Sequence, residues 1–176
     1  MVRRWACERL RILYGEAGIG VLERLLKDKD KDVLLEALEY LENYQDPKFK
    51  GDTILKIYET RTGVIAGKCA LLLGKLKDEG LISACQKRVI KQTGRLDEII
   101  STTKALGELA NPPAKAILRQ MLSEIEEEAD PFLIHTVIHA LIKAKEDLSI
   151  LLESYAHHYE KFSLEILHPF STICGS

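Results

Sequence analysis

The chain is poor in aromatic residues and in residues that break helices. Its 176 residues include only four Phe, six Tyr, one Trp, five Pro and 11 Gly. Runs of β-branched residues, which favour strands, are scarce, whereas Leu, Ile and Ala dominate the apolar fraction. This composition predicts an all-α protein.

Long apolar runs and cysteine pairs are missing as well. The longest apolar candidate, Pro131 to Ile142, is interrupted by two histidines and a threonine, so the sequence predicts no transmembrane segment. Arginines spaced through the first turns leave no continuous apolar stretch for a secretory signal. The four cysteines form no CxxC pair, which favours reduced, structural thiols. We therefore expect a cytoplasmic chain.

Neither sign of charge is in excess. Lys and Arg number 25 and Asp and Glu number 27, giving a net charge of -2, whereas a dedicated nucleic-acid binder is usually strongly basic. The apolar share of 46% and the charged share of 30% are typical of a folded globular protein. The length corresponds to one compact unit or one short repeat array, and the charge balance disfavours a nucleic-acid partner.

A 12-residue pattern recurs five times along the chain, and we call the helix that it predicts the recurring helix. The pattern begins with an apolar residue, has small residues near its middle and carries Leu at its ninth position. The copies begin at Val2, Val33, Ile65, Glu98 and Leu133, at offsets of 31, 32, 33 and 35 residues. Positions 1, 5, 9 and 12 share one helix face, so each copy predicts an amphipathic helix.

Turn residues and a further helical stretch, which we call the connecting helix, follow each copy. Asp32, Asp97 and the pair Asp130-Pro131 precede copies as residues suited to N-capping or to starting a helix. The predicted units lie near 2–26, 33–59, 65–91, 98–127 and 133–160 in an array spanning 1–162, with 163–176 as a C-terminal cap or tail. The array opens on a recurring helix, so we expect either a fragment of a longer repeat protein or an end that associates with a second copy.

Three strings in the recurring helices point to a known type of repeat. They are Val2-Arg3, the ALGEL of residues 105–109, and the LLGKL of residues 72–76. The pattern resembles the HEAT repeat, and more narrowly the HEAT-like repeats of the phycobilisome-lyase type, whose second helix starts V-R and continues through A-L-G-x-L. Glu98 in an apolar column and Ile142 in place of Gly depart from it. The resemblance implies a right-handed α-α superhelix, a solenoid of about five helical hairpins.

The resemblance also implies that binding takes place on a concave surface lined by the recurring helices. Positions 3, 4, 7 and 11 of each copy are predicted to project into this groove. The candidate partner-binding residues are Arg4, Trp5, Glu8, Glu36, Glu39, Asn43, Lys68, Leu71, Lys75, Lys104, Glu108, His135, His139 and Lys143. Their charges are mixed, which favours a protein or peptide partner over a uniform polyanion. Trp5 is either a binding anchor or a residue that packs against a neighbouring helix.

Two motifs suggest ligands but lack required residues. Asp28 to Asp32 with Glu39 supplies acids at positions of a calcium loop, yet Val33 stands where that loop needs Gly. Gly63 to Cys69 is similar to a phosphate loop, but it has three residues between its glycines instead of four, and Cys in place of Ser or Thr. Inter-helix turns and the repeat register account for both segments.

His135 and His139 share a helix face, and their spacing binds zinc where a third ligand is present. The preferred interpretation is a surface or interface pair. No catalytic arrangement is evident, so we expect no catalytic residues, no metal ligands and no cofactor. The predicted function is a non-catalytic interaction scaffold. The alternative is a ligand-handling enzyme, because HEAT-like arrays include chromophore lyases and DNA alkyl-base glycosylases; a single Trp and a groove without net positive charge speak against a glycosylase.

Overall fold

The computed structural model describes residues 19–43, 51–91, 93–125, 130–147 and Ser149. Within these ranges the chain forms eight helices and no strand. The helices are α1 Ile19–Leu25, α2 Lys31–Asn43, α3 Asp52–Thr60, α4 Val64–Lys75, α5 Gly80–Ile90, α6 Leu96–Leu109, α7 Pro112–Glu124 and α8 Pro131–Lys143. The prediction of an all-α fold is confirmed for this part of the chain.

The helices alternate between the two types that the repeat predicts. α2, α4, α6 and α8 contain the copies that begin at Val33, Ile65, Glu98 and Leu133, whereas α1, α3, α5 and α7 are connecting helices. The copy at Val2 and the segment 163–176 lie outside the described residues. The division into an array and a tail stays a prediction.

Helices of the same type pack against one another. α2 packs on α4, α4 on α6 and α6 on α8, while α3 packs on α5 and α5 on α7. Connecting helices also contact the recurring helices next to them in the chain, as in the pairs α3 with α4 and α7 with α8. The described helices therefore form two rows, one of recurring and one of connecting helices, with the apolar residues between and within the rows.

The core contains the columns that the repeat pattern predicts to be buried. At the fifth position Ala37, Cys69, Thr102 and Val137 are fully buried, and at the ninth position Leu41, Leu73, Leu106 and Leu141 are at most 2% exposed. Burying one leucine side chain contributes about 1.5–3 kcal/mol, so the ninth column is a large part of what holds successive units together. Burial also raises the pKa of the Cys69 thiol to about 12, which keeps it protonated.

The recurring helices approach closely where a glycine faces an alanine. A Cβ added to Gly74 would lie 2.8 Å from the Cα of Ala105, and one added to Gly107 would lie 2.9 Å from the Cα of Ala140. Both glycines stand at the tenth position and both alanines at the eighth position of the next copy. The A-L-G string thus has a packing role, since each glycine makes room for the alanine of the following helix.

Side-chain caps begin two of the helices. The carboxylate of Asp130 accepts the Phe132 N–H at 2.8 Å, and the Asn111 side chain accepts the Ala114 N–H at 3.0 Å. The expectation that Asp32 and Asp97 stand just ahead of their helices is wrong by position, because both lie inside the first turn of α2 and α6. A carboxylate in the first turn is stabilised by the positive end of the helix dipole.

The turns after the recurring helices repeat as well. Lys77, Ala110 and Lys145 have φ values of 57°, 54° and 56°, in the left-handed region, and all three stand at position 13 of their copies. The Asp78 N–H donates to the Leu73 carbonyl at 3.0 Å, which closes the end of α4. The backbone therefore follows the same repeat as the side chains.

None of the helices in the described ranges combines the length and the apolar character that crossing a membrane requires.

Candidate functional site

Most of the predicted groove residues are accessible on the row of recurring helices. Glu39, Lys75, Lys104, His139 and Lys143 are exposed, and Glu36, Lys68, Leu71, Glu108 and His135 are half-buried. Arg4, Trp5 and Glu8 lie outside the described residues, as does the side chain of Asn43, the last residue of α2. The prediction that every third and fourth position projects into the groove is wrong for Gly67 and Thr136, which are buried.

Local packing explains these two exceptions. A Cβ on Gly67 would lie 2.9 Å from the Ser101 hydroxyl oxygen, so α6 covers this position of α4. The Thr136 hydroxyl donates to the Phe132 carbonyl at 2.8 Å and is satisfied within its own helix. Helix periodicity alone does not show where a neighbouring helix covers a face.

Ion pairs connect successive recurring helices along this surface. They join Lys68 to Glu39 at 2.7 Å, Lys75 to Glu42 at 2.7 Å and Lys143 to Glu108 at 2.5 Å. The hydrogen bond from Lys75 is the main cause that lowers the pKa of Glu42. These pairs are solvent-accessible, so each contributes at most about 1 kcal/mol. Sequence reasoning missed Glu42 because it stands at the tenth position, outside the predicted groove columns.

A cavity of about 200 Å³ opens between α4, α6 and α8, and we call it the groove pocket. The lining residues are Leu71, Lys104, Glu108, His139, Ala140 and Lys143. All except Ala140 are predicted groove residues, and the structure therefore brings together candidates from three successive copies. Leu71 and Ala140 provide an apolar surface beside the Lys143–Glu108 ion pair.

An exposed aromatic ring lies next to one cation of the groove pocket. The Lys104 ammonium is 5.9 Å from the ring centroid of Phe132, whose exposure is 55%. An ammonium at this distance from a ring face is attracted by the ring quadrupole. Phe132 precedes its copy of the pattern by one residue, which is why the predicted groove positions did not include it.

The two histidines of α8 stack against each other. Their ring centroids are 6.2 Å apart with an interplanar angle of 27°. Burial, and then the charge of His139, lower the pKa of His135. Within the described ranges no group of three His, Cys, Asp or Glu side chains is placed to hold a metal ion. The pair is thus a polar edge of the groove.

The two discounted motifs have structural explanations. The carboxylates of Asp28 and Asp30 accept backbone N–H groups two residues further on, each at 3.0 Å, and so order the turn before α2. In the segment that is similar to a phosphate loop, Lys68 pairs with Glu39, and Cys69 is buried in the core.

A buried ion pair that sequence reasoning missed joins two units. Glu98 is 1% exposed; its carboxylate accepts Arg88 Nη1–H at 2.9 Å and the Gly63 N–H at 2.8 Å. Arg88 also donates to backbone carbonyls at the end of α3, those of Tyr58, Glu59 and Arg61. The charge at an apolar position of the fourth copy is therefore compensated, and Glu98 connects α6 to α5 and to the start of α4.

Family models, curated proteins and solved structures offer no match to this chain. The resemblance to HEAT-like repeats therefore rests on the repeated residues alone. The groove combines a small apolar pocket, paired charges and the Lys104 ammonium near the ring of Phe132. Such a surface suits the recognition of a side chain with polar neighbours.

Proposed function

We propose that the protein is a non-catalytic scaffold that binds a protein or peptide partner on the row formed by α2, α4, α6 and α8. The groove pocket is the observation that supports this proposal most directly. Its volume of about 200 Å³ is below the roughly 300–1,000 Å³ of small-molecule sites, so it suits one anchoring side chain of a larger partner.

The same proposal includes a solenoid of HEAT-like hairpins, about five in number and wound as a right-handed α-α superhelix. Three features support it. Each described recurring helix packs on the next one. The glycine-alanine contact occurs both between α4 and α6 and between α6 and α8. The left-handed residue at position 13 recurs in three copies. Equivalent joints repeated along a chain generate a regular stack of helical hairpins.

The charges around the groove pocket define the chemistry of the partner. Lys143 is paired with Glu108, whereas no carboxylate among the described residues forms a salt bridge with Lys104. Lys104 instead lies near the ring of Phe132. A partner that inserts an apolar side chain against Leu71 and places a carboxylate near Lys104 would fill the apolar part of the pocket and neutralise this lysine. We infer a segment with an apolar anchor beside an acidic residue.

The experiment is a selection of peptides from a random display library, followed by affinity measurements with fluorescence anisotropy. Lys104→Glu should weaken the selected peptides by about tenfold or more, because it places like charges in contact. The matched control is Lys56→Glu, the same charge change at an exposed position of the connecting helix α3, which should leave affinity unchanged. Equal losses in both variants, or no selected peptides from a folded protein, would contradict the proposal.

A further inference from the structure

A second, larger cavity lies where α2, α4 and α6 begin. Its volume is about 460 Å³, and three of its lining residues are cations from three separate segments. Lys31 is the first residue of α2, Arg61 follows α3, and Arg95 immediately precedes α6. We call it the basic cavity. Its lining includes the first residues of the segment that is similar to a phosphate loop, but its three cations are about 30 residues apart and belong to none of the motifs in the sequence.

Two of the three cations of the basic cavity lack the ion pairs that Lys68, Lys75 and Lys143 form along the groove. Among the described residues, no carboxylate forms a salt bridge with Lys31 or Arg61. Arg95 is 3.4 Å from the Asp97 carboxylate, and its side chain is 74% exposed. A pair this exposed compensates little of the positive charge.

The nearest buried carboxylate, that of Glu98, does not neutralise the cations of the basic cavity. Glu98 bonds to the Gly63 N–H beside the cavity, but its charge is matched by Arg88, whose guanidinium lies 2.9 Å from it. Gly63 itself has φ +66°, and a Cβ there would lie 3.1 Å from Cδ of Arg95. Glycine at this position therefore lets the Arg95 side chain lie over the backbone at the edge of the cavity.

The remaining wall of the basic cavity combines apolar side chains with two threonines, of which Thr60 donates its hydroxyl to the Lys56 carbonyl at 2.8 Å. Leu35 is half-buried, and Val64 is 53% exposed beside it in the lining. Thr62, which is exposed, adds a hydroxyl. The volume lies within the roughly 300–1,000 Å³ of small-molecule sites, unlike that of the groove pocket. The cavity therefore suits a small ligand with an anionic group and an apolar body.

We propose that the basic cavity binds a small organic phosphate. A phosphate monoester carries a charge of about −1.5 to −2 at neutral pH and three acceptor oxygens, which match three cations from different directions. Arginine forms bidentate hydrogen bonds with such oxygens, and Arg61 and Arg95 both line the site. The organic part then contacts Leu35 and Val64. This site differs from the discounted phosphate-loop motif, because Lys68 does not line the cavity.

The test is an NMR titration with phenyl phosphate, which combines a phosphate group and a small apolar body. We expect saturable shifts of the Thr62 and Gly63 amides, and an affinity about tenfold higher than that for benzoate, which has a single charge and two oxygens. Arg61→Gln and Lys31→Gln should each weaken phenyl phosphate by about tenfold, since each removes one of the three cations. Arg119→Gln, the same charge change on α7, should have no effect.

Three results would overturn the proposal. The first is the absence of saturable binding to a folded protein, checked by circular dichroism. The second is an equal loss of affinity in Arg61→Gln and Arg119→Gln, which would indicate nonspecific attraction. The third is that benzoate or inorganic phosphate binds as tightly as phenyl phosphate. Equal binding of benzoate would show that the phosphate group is not recognised, and equal binding of inorganic phosphate would show that the organic body is not. Failure here would leave the proposed peptide site untouched, because the groove pocket shares no lining residue with the basic cavity.

Discussion

The groove and the basic cavity use similar residues in opposite ways. Along the groove, Lys68, Lys75 and Lys143 each have a carboxylate partner on a neighbouring recurring helix. In the basic cavity, Lys31 and Arg61 have no such partner among the described residues. Charges paired within the chain fix how successive helices sit together, whereas cations left around a cavity remain available to an external anion. Most lysines of the groove are thus paired within the chain, with Lys104 as the exception, whereas two of the three cations of the basic cavity are not.

The largest expected effect is a difference in the free energy of unfolding between variants of two carboxylates of α6. Glu98→Ala leaves the Arg88 guanidinium, 25% exposed, without its anion and should lower the free energy of unfolding by about 3–5 kcal/mol. Glu108→Ala breaks an exposed pair of the groove and should cost less than about 1 kcal/mol. Urea unfolding monitored by circular dichroism measures both values. Similar losses would show that burial does not distinguish the Glu98–Arg88 pair from the exposed pairs of the groove.

The core beneath the groove should be far more sensitive than its surface. Leu41→Ala and Leu73→Ala each remove a buried side chain of the ninth position and should destabilise by about 2–5 kcal/mol. Glu39→Ala, at an exposed position of the groove, should stay within about 0.5 kcal/mol of wild type. Thermal and urea unfolding test this directly. The register of the repeat would be wrong if all three variants behaved alike.

At the contact between α4 and α6, replacing glycine by alanine should destabilise the protein, the reverse of its usual effect in a helix. Alanine normally stabilises a helix relative to glycine by about 1 kcal/mol, and the exposed control Ala116→Gly on α7 should show that loss. Gly74→Ala should instead destabilise by about 1–3 kcal/mol, because its Cβ would lie 2.8 Å from the backbone of Ala105. A stabilised Gly74→Ala protein would refute the close packing on which the groove pocket depends.

The smallest effect concerns the two histidines of α8, of which His139 lines the groove pocket. The pKa of His135 should lie below its ordinary value near 6.5, and His139→Gln should raise it only part of the way, because burial is the larger cause. NMR titration of the ring protons measures both. With a lowered pKa, the folded state binds fewer protons than the unfolded state below pH 7, so stability falls as pH drops through 6.5 towards the folded value. A His135 pKa at or above 6.5 would contradict this account of the groove.

Much of the helical framework could be predicted from local pattern. The copies beginning at Val33, Ile65, Glu98 and Leu133 coincide with α2, α4, α6 and α8. The buried ninth column and the cap at Asp130 were also predicted. These features depend on helix periodicity and on hydrogen bonds between residues two to four positions apart, so neighbouring residues suffice to predict them.

The candidate site was only partly predictable. The predicted groove columns include Leu71, Lys104 and His139, which the fold brings to one pocket, and their role in binding stays a prediction. They also included Gly67, which α6 covers, and omitted Phe132, which lies one residue ahead of the pattern. Whether a residue on a helix face is open or covered depends on the neighbouring helix, and the pattern within one helix contains no information about that distance.

The sequence by itself determined where the described helices lie and which of their faces are buried, because both follow from the spacing of apolar residues along one helix. Only the tertiary structure decided which charges neutralise one another. Lys68 pairs with Glu39, 29 residues away in the sequence, and Lys143 pairs with Glu108, 35 residues away. Arg61 forms no salt bridge with a carboxylate in the described part of the chain. Such pairings depend on how the units stack, since an ion pair requires its two charged groups to lie within about 4 Å of each other and any face of a helix holds several candidate partners.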